Sequence, residues 1–201
     1  MNAVVLHAPH LGRDISALKK VVPGVHVLVG QPTPRGEDGC MESHKAAIRF
    51  ARDYQDGPLF VMEDDCQFTE AFDWDCWNAD ADWAEANGYD VMAGGCTRTY
   101  NESVVRDGMV EVSAFHSAHC YVLFRSGFTK ALHAVQPYDL SLGLTCGLRC
   151  VLTWPFVAVQ RPSFSGILRQ PVDYVPLYQA HERRLGHALG MLKPYQPMAA
   201  Y

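Results

Sequence analysis

Residues 59–66 read LFVMEDDC, four apolar residues followed directly by three acidic ones and a cysteine. A short, wholly apolar run is typical of a strand in the middle of a sheet that is covered on both faces. Two carboxylates about 4 Å apart repel each other by about 4 kcal/mol at an effective dielectric constant near 20. A divalent cation between them makes the interaction favourable, so the segment predicts a buried strand that ends at a cation site.

The composition of the 201-residue chain is that of a folded protein, with 48% hydrophobic and 19% charged residues. Its formal net charge of −5 gives no general attraction for nucleic acid, although a local basic patch remains compatible with a DNA substrate. Seven cysteines without a paired framework, and an N-terminus unlike a signal peptide, indicate a cytoplasmic protein with free thiols. No apolar run approaches the roughly 20 residues of a membrane span. We expect one domain over residues 1–201.

The order of the hydrophobic patterns predicts an α/β protein. The apolar runs that predict strands in the first half lie at 3–8, 25–30, 59–62 and 89–95. The clearest helix is expected over 40–54, where apolar residues from His44 to Ala51 recur at helical spacing. Residues 31–39 are dense in Pro, Gly and charge and predict a loop.

Ligands of open α/β sheets bind beyond the carboxyl ends of the strands. The residues that follow the first predicted strand are His7, Ala8 and Pro9. Glu63, Asp64 and Asp65 end the third strand. If that strand continued, Glu63 and Asp65 would share one face and Asp64 would point away. An acidic cluster at this place fits nucleases and phosphatases as well as transferases, and acids after a strand also occur simply as helix caps or solvated side chains.

A longer segment, GCMESHKAAIRFARDYQDGPLFVMEDDCQF at 39–68, resembles glycosyltransferase family twenty-five, which includes bacterial lipooligosaccharide and collagen galactosyltransferases. The family pattern is Gly-Cys, then Ser-His opening a helix, then an apolar strand ending in Glu-Asp-Asp. The residues that match it are Gly39, Cys40, Ser43, His44, Glu63, Asp64 and Asp65. A looser similarity covers 119–132, 136–143 and 156–167, where the family's Pro-x-Asp step falls on Asp139. Compact relatives of this type occur among phage enzymes that glycosylate modified DNA bases.

The resemblance implies a GT-A fold, that is, a Rossmann-like, mixed and mainly parallel sheet flanked by helices. It implies transfer of a sugar, with inversion, from a nucleotide-sugar donor (a UDP-sugar) to an acceptor hydroxyl. Its implied cofactor is Mn²⁺ or Mg²⁺, with Asp65, Glu63 and a late histidine, His181, as ligands. Asp65 acts through that cation, and Asp139 is the candidate base for the acceptor proton. The residues expected at the donor are His7, Ala8, Pro9, Ser43, His44, Glu63 and Asp64.

Several alternatives remain open from the sequence. The acceptor is either a saccharide or a hydroxymethylated base in phage DNA, which would place the protein in an infected host cytoplasm. The same acids suit a two-metal phosphohydrolase or nuclease, and a glycosyltransferase-like module that binds a sugar nucleotide without turnover is a third possibility. His181 shares a helical face with Leu185 and Ala188, which favours a core position. The tryptophans of segment 73–83 suit either sugar or base stacking, or the inner face of an amphipathic helix.

Overall fold

The computed structural model describes residues 2–30, 32–54 and 56–190. The strands are β1 (Asn2–His7), β2 (His26–Val29), β3 (Leu59–Glu63), β4 (Cys66–Phe68), β5 (Val91–Ala93), β6 (Arg98–Tyr100), β7 (Ser103–Arg106), β8 (Met109–Val112), β9 (Ala114–His116), β10 (Cys120–Leu123), β11 (Cys150–Thr153), β12 (Ala158–Gln160), β13 (Ser163–Ser165) and β14 (Gln170–Val172). The helices are α1 (Ser16–Val21), α2 (Gly36–Tyr54), α3 (Trp74–Ala86), α4 (Phe128–Ala131), α5 (Tyr138–Leu144) and α6 (Val175–Ala188), with short 3-10 turns at Pro9–Leu11 and Arg125–Gly127.

Among the described residues, eight strands form a central sheet in the order β2-β1-β3-β10-β5-β11-β8-β7. The pairings make β10 and β8 run opposite to the other six strands, so the sheet is mixed but mostly parallel in direction. The predicted α/β class with a mixed, mainly parallel sheet flanked by helices is confirmed. The last strand, β7, carries a register shift between Val104 and Arg106 where it pairs with β8.

Strand β3 lies inside the sheet and is covered on both faces, as its unbroken apolar run predicts. Leu59 and Val61 pack in the core cluster that also holds the inner face of α2, from Ala47 to Ala51. Phe60 packs in the second cluster, which holds the buried side chains of α1 and α3. All four apolar residues of 59–62 have no solvent exposure. Burying one such side chain contributes about 1.5–3 kcal/mol, so this strand is a main source of the sheet's stability.

The tryptophan segment forms α3 and packs inward, which corresponds to the amphipathic-helix interpretation. Trp77 is buried beside Phe60, with 5.3 Å between the ring centroids. Trp74 donates through Nε1 to the Val21 carbonyl at 2.9 Å. Trp83 lies under the Arg106 guanidinium at 4.7 Å from its ring centroid. These contacts tie α3 to the sheet.

The structure departs in two places from what the sequence patterns indicate. The loop predicted over 31–39 ends earlier than expected, because α2 begins at Gly36. The negative charges of Glu37 and Asp38 stabilise the first turn of this helix, since they lie at the positive end of its dipole. The Pro-rich and aromatic residues after 160 include a β-hairpin, β13–β14, that the composition did not indicate. No helix in the described ranges has the length and apolar character that crossing a membrane requires.

The close packing of α5 on β9 gives a test of the fold. A Cβ added at Gly143 would overlap the Ser113 carbonyl and lie 3.0 Å from the Ala114 Cα. Gly143→Ala should therefore lower the unfolding free energy by about 1–3 kcal/mol, although helix propensity alone favours Ala. Urea denaturation measures this. Leu144→Ala, at the neighbouring exposed position, should stay within about 0.5 kcal/mol of wild type; a stabilised Gly143→Ala protein would contradict the packing.

Candidate functional site

A cavity of about 740 Å³ lies where β1 and β3 end and β10 begins. Its floor carries Glu63, Asp64 and Asp65, and its walls come from the N-terminal part of α2, the start of α5 and the hairpin β13–β14. The volume is in the usual range for a small-molecule or cofactor site. The cavity lies at the carboxyl ends of two parallel strands, which is where ligands bind in open α/β sheets.

Asp64 is fully engaged by the protein itself. Its Oδ2 accepts a hydrogen bond from the Ala8 amide at 2.7 Å and contacts His7 Nδ1 at 3.0 Å. Its Oδ1 accepts from Arg13 at 2.5 Å. The side chain is only 2% exposed, so these partners supply what water would otherwise give. Asp64 therefore ties the end of β3 to the loop after β1.

Glu63 and Asp65 face a common point, although β3 does not continue past Glu63. A turn at residues 64–65 replaces the extended chain, and Gln160 donates through Nε2 to Glu63 Oε2 at 3.3 Å and to Asp65 Oδ1 at 3.4 Å. Ser163 donates to Asp65 Oδ2 at 3.2 Å. Strand alternation predicts that the two acids lie on one side; in the structure a turn, held by residues of β12 and β13, brings them together.

The two acids differ in their affinity for protons. Desolvation, followed by the negative charge of Glu63, raises the pKa of Asp65 from 3.8 to about 7. Desolvation also acts to raise the pKa of Glu63, but the hydrogen bond and positive charge of His44 outweigh it, so the Glu63 pKa lies below its ordinary value. One site carboxylate thus takes up a proton readily while its neighbour stays charged. This is the electrostatic situation that a bound cation would relieve.

Arg13 is a site residue that the sequence reasoning missed. Its guanidinium contacts Asp65 at 3.2 Å as well as Asp64, and it donates through NH2 to the Phe164 carbonyl of β13 at 2.7 Å. Its Nε is buried, and the part of the chain that the structure describes offers it no hydrogen-bond partner. Arg13 follows the first strand by only six residues, a position where a basic residue could have been considered as a contact for an anion. Gln160 was also missed, although it opens the Gln-x-Pro-Ser segment.

His44 is completely buried and joins the helix α2 to the acidic strand end. Its Nε2 contacts Glu63 Oε1 at 3.1 Å, and its Nδ1 contacts the Tyr121 hydroxyl at 2.9 Å. The ring stacks on Tyr138 with a centroid distance of 4.4 Å. The hydroxyls of Tyr121 and Tyr138 lie 3.1 Å apart. The residue is therefore both a core histidine and a partner of the site.

Asp139 lies at the start of α5 on the wall of the same cavity. Its Oδ2 accepts from the Ser117 amide at 2.6 Å, and its Oδ1 accepts from the Leu140 amide at 2.8 Å. Ser117 has φ = 80°, a conformation that residues other than glycine seldom adopt. The carboxylate therefore holds a strained loop, and each oxygen keeps a second lone pair for a further donor.

The remaining predicted residues fall into two groups. His7, Ala8 and Ser43 line the cavity, and the Ser43 hydroxyl donates to the Gly39 carbonyl at 2.7 Å. Pro9 begins the 3-10 turn and is not among the lining residues.

His181 does not join the acids. Its Nε2 contacts Thr99 Oγ1 at 3.0 Å, and Arg184 Nε donates to its Nδ1 at 3.3 Å. Desolvation lowers its pKa to about 4. Both ring nitrogens of His181 have protein partners. The residue lies on the buried face of α6, as its position beside Leu185 predicts.

The donor set at the cavity floor fits a hard divalent cation. Glu63 Oε2 and Asp65 offer carboxylate oxygens that converge on one small volume, and oxygen is the ligand type that Mg²⁺ and Mn²⁺ prefer. Arg13 contacts both Asp64 and Asp65, but Asp64 is also held by the Ala8 amide and His7 of the loop after β1, which turns it away from this volume. The described residues thus provide two carboxylates for one cation rather than three.

The comparisons with known proteins bear on the fold alone. No family model and no curated protein matches the chain, so membership of glycosyltransferase family twenty-five is not confirmed. The solved structure of A197 from STIV is similar at a TM-score of 0.53 and 15% identity, covering 86% of this chain and 94% of that one. UDP-glucose pyrophosphorylase complexed with UDP-glucose follows at 0.49 and 7%, covering 90% and 81%. Mannose-1-phosphate geranyltransferase from Thermus thermophilus has 0.39 and 12%, covering 75% and 58%. The first shares the fold, and the other two are too distant to carry an argument.

The raised pKa of Asp65 predicts a pH dependence of stability. Folded Asp65 keeps its proton up to about pH 7, whereas unfolded Asp65 loses it near 3.8. The contribution of Asp65 to the unfolding free energy is thus fully present below about pH 4 and is lost as the pH rises towards 7. In protein freed of divalent cations, Asp65→Asn should be more stable than wild type at pH 7 by up to a few kcal/mol, and the difference should vanish near pH 4.

Urea denaturation across this pH range measures the effect. Asp107→Asn, which changes an exposed carboxylate, is the matched control and should follow the wild-type curve. An Asp65→Asn protein that runs parallel to wild type at every pH would show that the carboxylate is not desolvated.

Proposed function

We propose that the protein is a metal-dependent glycosyltransferase that moves a sugar from a nucleoside-diphosphate sugar to an acceptor hydroxyl. The observation that carries the proposal is the pair of carboxylates, Glu63 and Asp65, converging at the floor of a 740 Å³ cavity beyond the carboxyl ends of β1 and β3. A cavity of that size accommodates a nucleotide and a sugar together. The motif resemblance over 39–68 supports the same reaction class independently of the geometry.

The charges of the site agree with a diphosphate ligand only when a cation is included. Glu63 and Asp65 repel phosphate oxygens, and the charge of Arg13 is largely balanced by Asp64 and Asp65. When bound, Mn²⁺ or Mg²⁺ would stabilise the negative charge that grows on the departing diphosphate. His7 and Ala8 hold Asp64, which keeps the floor in place beneath the donor.

Asp139 is the base in this proposal. It lines the cavity on the wall formed by the start of α5, and its oxygens can accept one more proton donor each. A single base suffices for direct, inverting displacement, because no covalent intermediate needs to form or break. The acceptor hydroxyl, from a saccharide or from a hydroxymethylated base, would lose its proton to Asp139 as the bond to the anomeric carbon forms.

The rival enzyme class is a two-metal phosphohydrolase or nuclease. Such sites place two cations about 3.5–4 Å apart, with carboxylates to hold both. Here Asp64 is withdrawn into contacts with Ala8, His7 and Arg13, which leaves two acids and favours one cation. A binding module without turnover would share the donor pocket, so only the measurement of turnover separates it from the enzyme.

The first test of the proposal is stabilisation by ligand. A nucleoside diphosphate should raise the melting temperature only together with Mn²⁺ or Mg²⁺, with about 2.7 kcal/mol of stabilisation at about 100 times Kd. Scanning calorimetry with UDP, other nucleoside diphosphates and their sugars measures this. Asp65→Asn should lose the cation-dependent part, while the control Asp107→Asn should retain it. No shift with any nucleotide in the wild-type protein would remove the transferase proposal, and phosphate release or DNA cleavage without a sugar donor would favour the hydrolase.

The second test concerns Asp139. Once a donor and acceptor are found, Asp139→Asn should lower kcat by about 10²- to 10⁴-fold with little change in donor affinity. The amide oxygen can still accept from the Ser117 amide, so the loss of stability should be limited to about 1 kcal/mol. Leu144→Ala, at an exposed position of the same helix, is the control for general disturbance of α5. Weaker donor binding at unchanged kcat would reassign Asp139 from catalysis to binding.

A further inference from the structure

Three groups of different chemistry meet on the cavity wall beside the acidic floor. The Sγ of Cys40, the Nε2 of His44 and a carboxylate oxygen of Glu63 all lie within 4.8 Å of one another. Cys40 and His44 are four residues apart on α2 and so project from one side of that helix, towards the end of β3. Thiolate, imidazole and carboxylate together are a donor set of the kind that Zn²⁺ takes in proteins.

The separations of these atoms agree with the edges of a tetrahedral site. With metal–ligand lengths of about 2.3 Å for sulfur and about 2.0–2.2 Å for nitrogen and oxygen, tetrahedral angles give about 3.6 Å from sulfur to oxygen and about 3.4 Å from nitrogen to oxygen. Cys40 Sγ lies 3.6 Å from Glu63 Oε1, and His44 Nε2 lies 3.1 Å from the same oxygen. The third pair of atoms, Cys40 Sγ and the His44 nitrogen, lies within 4.8 Å.

The surroundings of His44 orient it as a ligand. Its Nδ1 is engaged by the Tyr121 hydroxyl at 2.9 Å, and its ring is stacked on Tyr138. Ligating histidines commonly have their second nitrogen held in this way, which fixes the ring and presents the other nitrogen to the metal. Without a metal ion, the 3.1 Å contact between His44 Nε2 and Glu63 Oε1 is a hydrogen bond, and a metal ion would take the place of its proton.

From these contacts we propose that Cys40, His44 and Glu63 Oε1 bind a thiophilic divalent cation of the Zn²⁺ class. On binding, the Cys40 thiol releases its proton to solvent as the sulfur–metal bond forms, and the proton on His44 Nε2 moves to Nδ1 or to solvent as the nitrogen–metal bond forms. The resulting thiolate and carboxylate then balance the two charges of the ion. All three residues line the cavity, so the fourth position of the ion is open to water or to a ligand.

This site differs from the hard-cation position of the proposed function. Glu63 presents Oε1 to Cys40 and His44 and presents Oε2 to Gln160, on the side of Asp65. A sulfur ligand selects Zn²⁺ or Co²⁺ over Mg²⁺, whereas a site made of carboxylate oxygens alone suits Mg²⁺ or Mn²⁺. The proposal stands on the three side chains alone and does not depend on a sugar donor or on turnover.

The metal itself is the probe. Metal-stripped full-length protein titrated with Co²⁺ should develop a thiolate-to-cobalt charge-transfer band in the near ultraviolet, at one equivalent, and Zn²⁺ should abolish it by displacement. Cys40→Ser should remove the band. Cys76→Ser, which removes an exposed thiol, should keep it. Tyr121→Phe should keep the band but weaken Zn²⁺ binding by about 10- to 100-fold, because the ring loses its hydroxyl partner.

A second measurement uses the wild-type protein only and so does not depend on whether the variants fold. Zn²⁺ should protect Cys40, but not Cys76, from alkylation followed by peptide mass spectrometry. The absence of a charge-transfer band in wild type, its survival in Cys40→Ser, or alkylation of Cys40 at an unchanged rate with Zn²⁺ would each overturn the proposal. Asp65→Asn separates the two sites: it should retain the cobalt band while losing the Mn²⁺-dependent response to nucleotide, so one proposal can fail without the other.

Discussion

The engagement of Asp64 by the protein is the interaction on which the site depends. A carboxylate with 2% exposure needs partners, and it finds them in the Ala8 amide, His7 and Arg13. These contacts fix the turn after β3 against the loop after β1. The turn then directs Glu63 and Asp65 towards a single point. Without this neutralisation, three adjacent acids at the end of a buried strand would repel one another with nothing to define their direction.

The rest of the site comes from elements that are distant from β3 in sequence. Gln160 and Ser163 approach the acids from β12 and β13, and His44 approaches from α2. Tyr138, the residue before Asp139, stacks on His44, and His44 contacts Glu63. The candidate base and the acidic floor therefore belong to one packed unit. The geometry of the cavity floor and of the wall that carries Asp139 is therefore set by packing of the core.

Much of the fold followed from periodicity, because strands buried on both faces and helices with one apolar stripe leave clear patterns. The apolar run 59–62 and the stripe from His44 to Ala51 are both buried where the patterns placed them. The hairpin β13–β14 did not follow, since its residues are half-exposed and its composition is that of a loop. The start of α2 at Gly36 was missed because glycine and proline obscured the helical pattern. For the site, strand ends and motif spacing found the acids, His44 and Asp139. Arg13 and Gln160 required knowledge of which loops meet, and His181 was misplaced among the acids because its helix faces the core.

The two outer strands of the sheet bear on how the protein behaves at high concentration. β2 and β7 each have only four residues, and β7 is interrupted by the register shift before Arg106. A short or kinked border strand offers few backbone amides and carbonyls in line, so the border of another copy finds few partners for extending the sheet. Self-association by strand addition is thereby discouraged by the strands themselves.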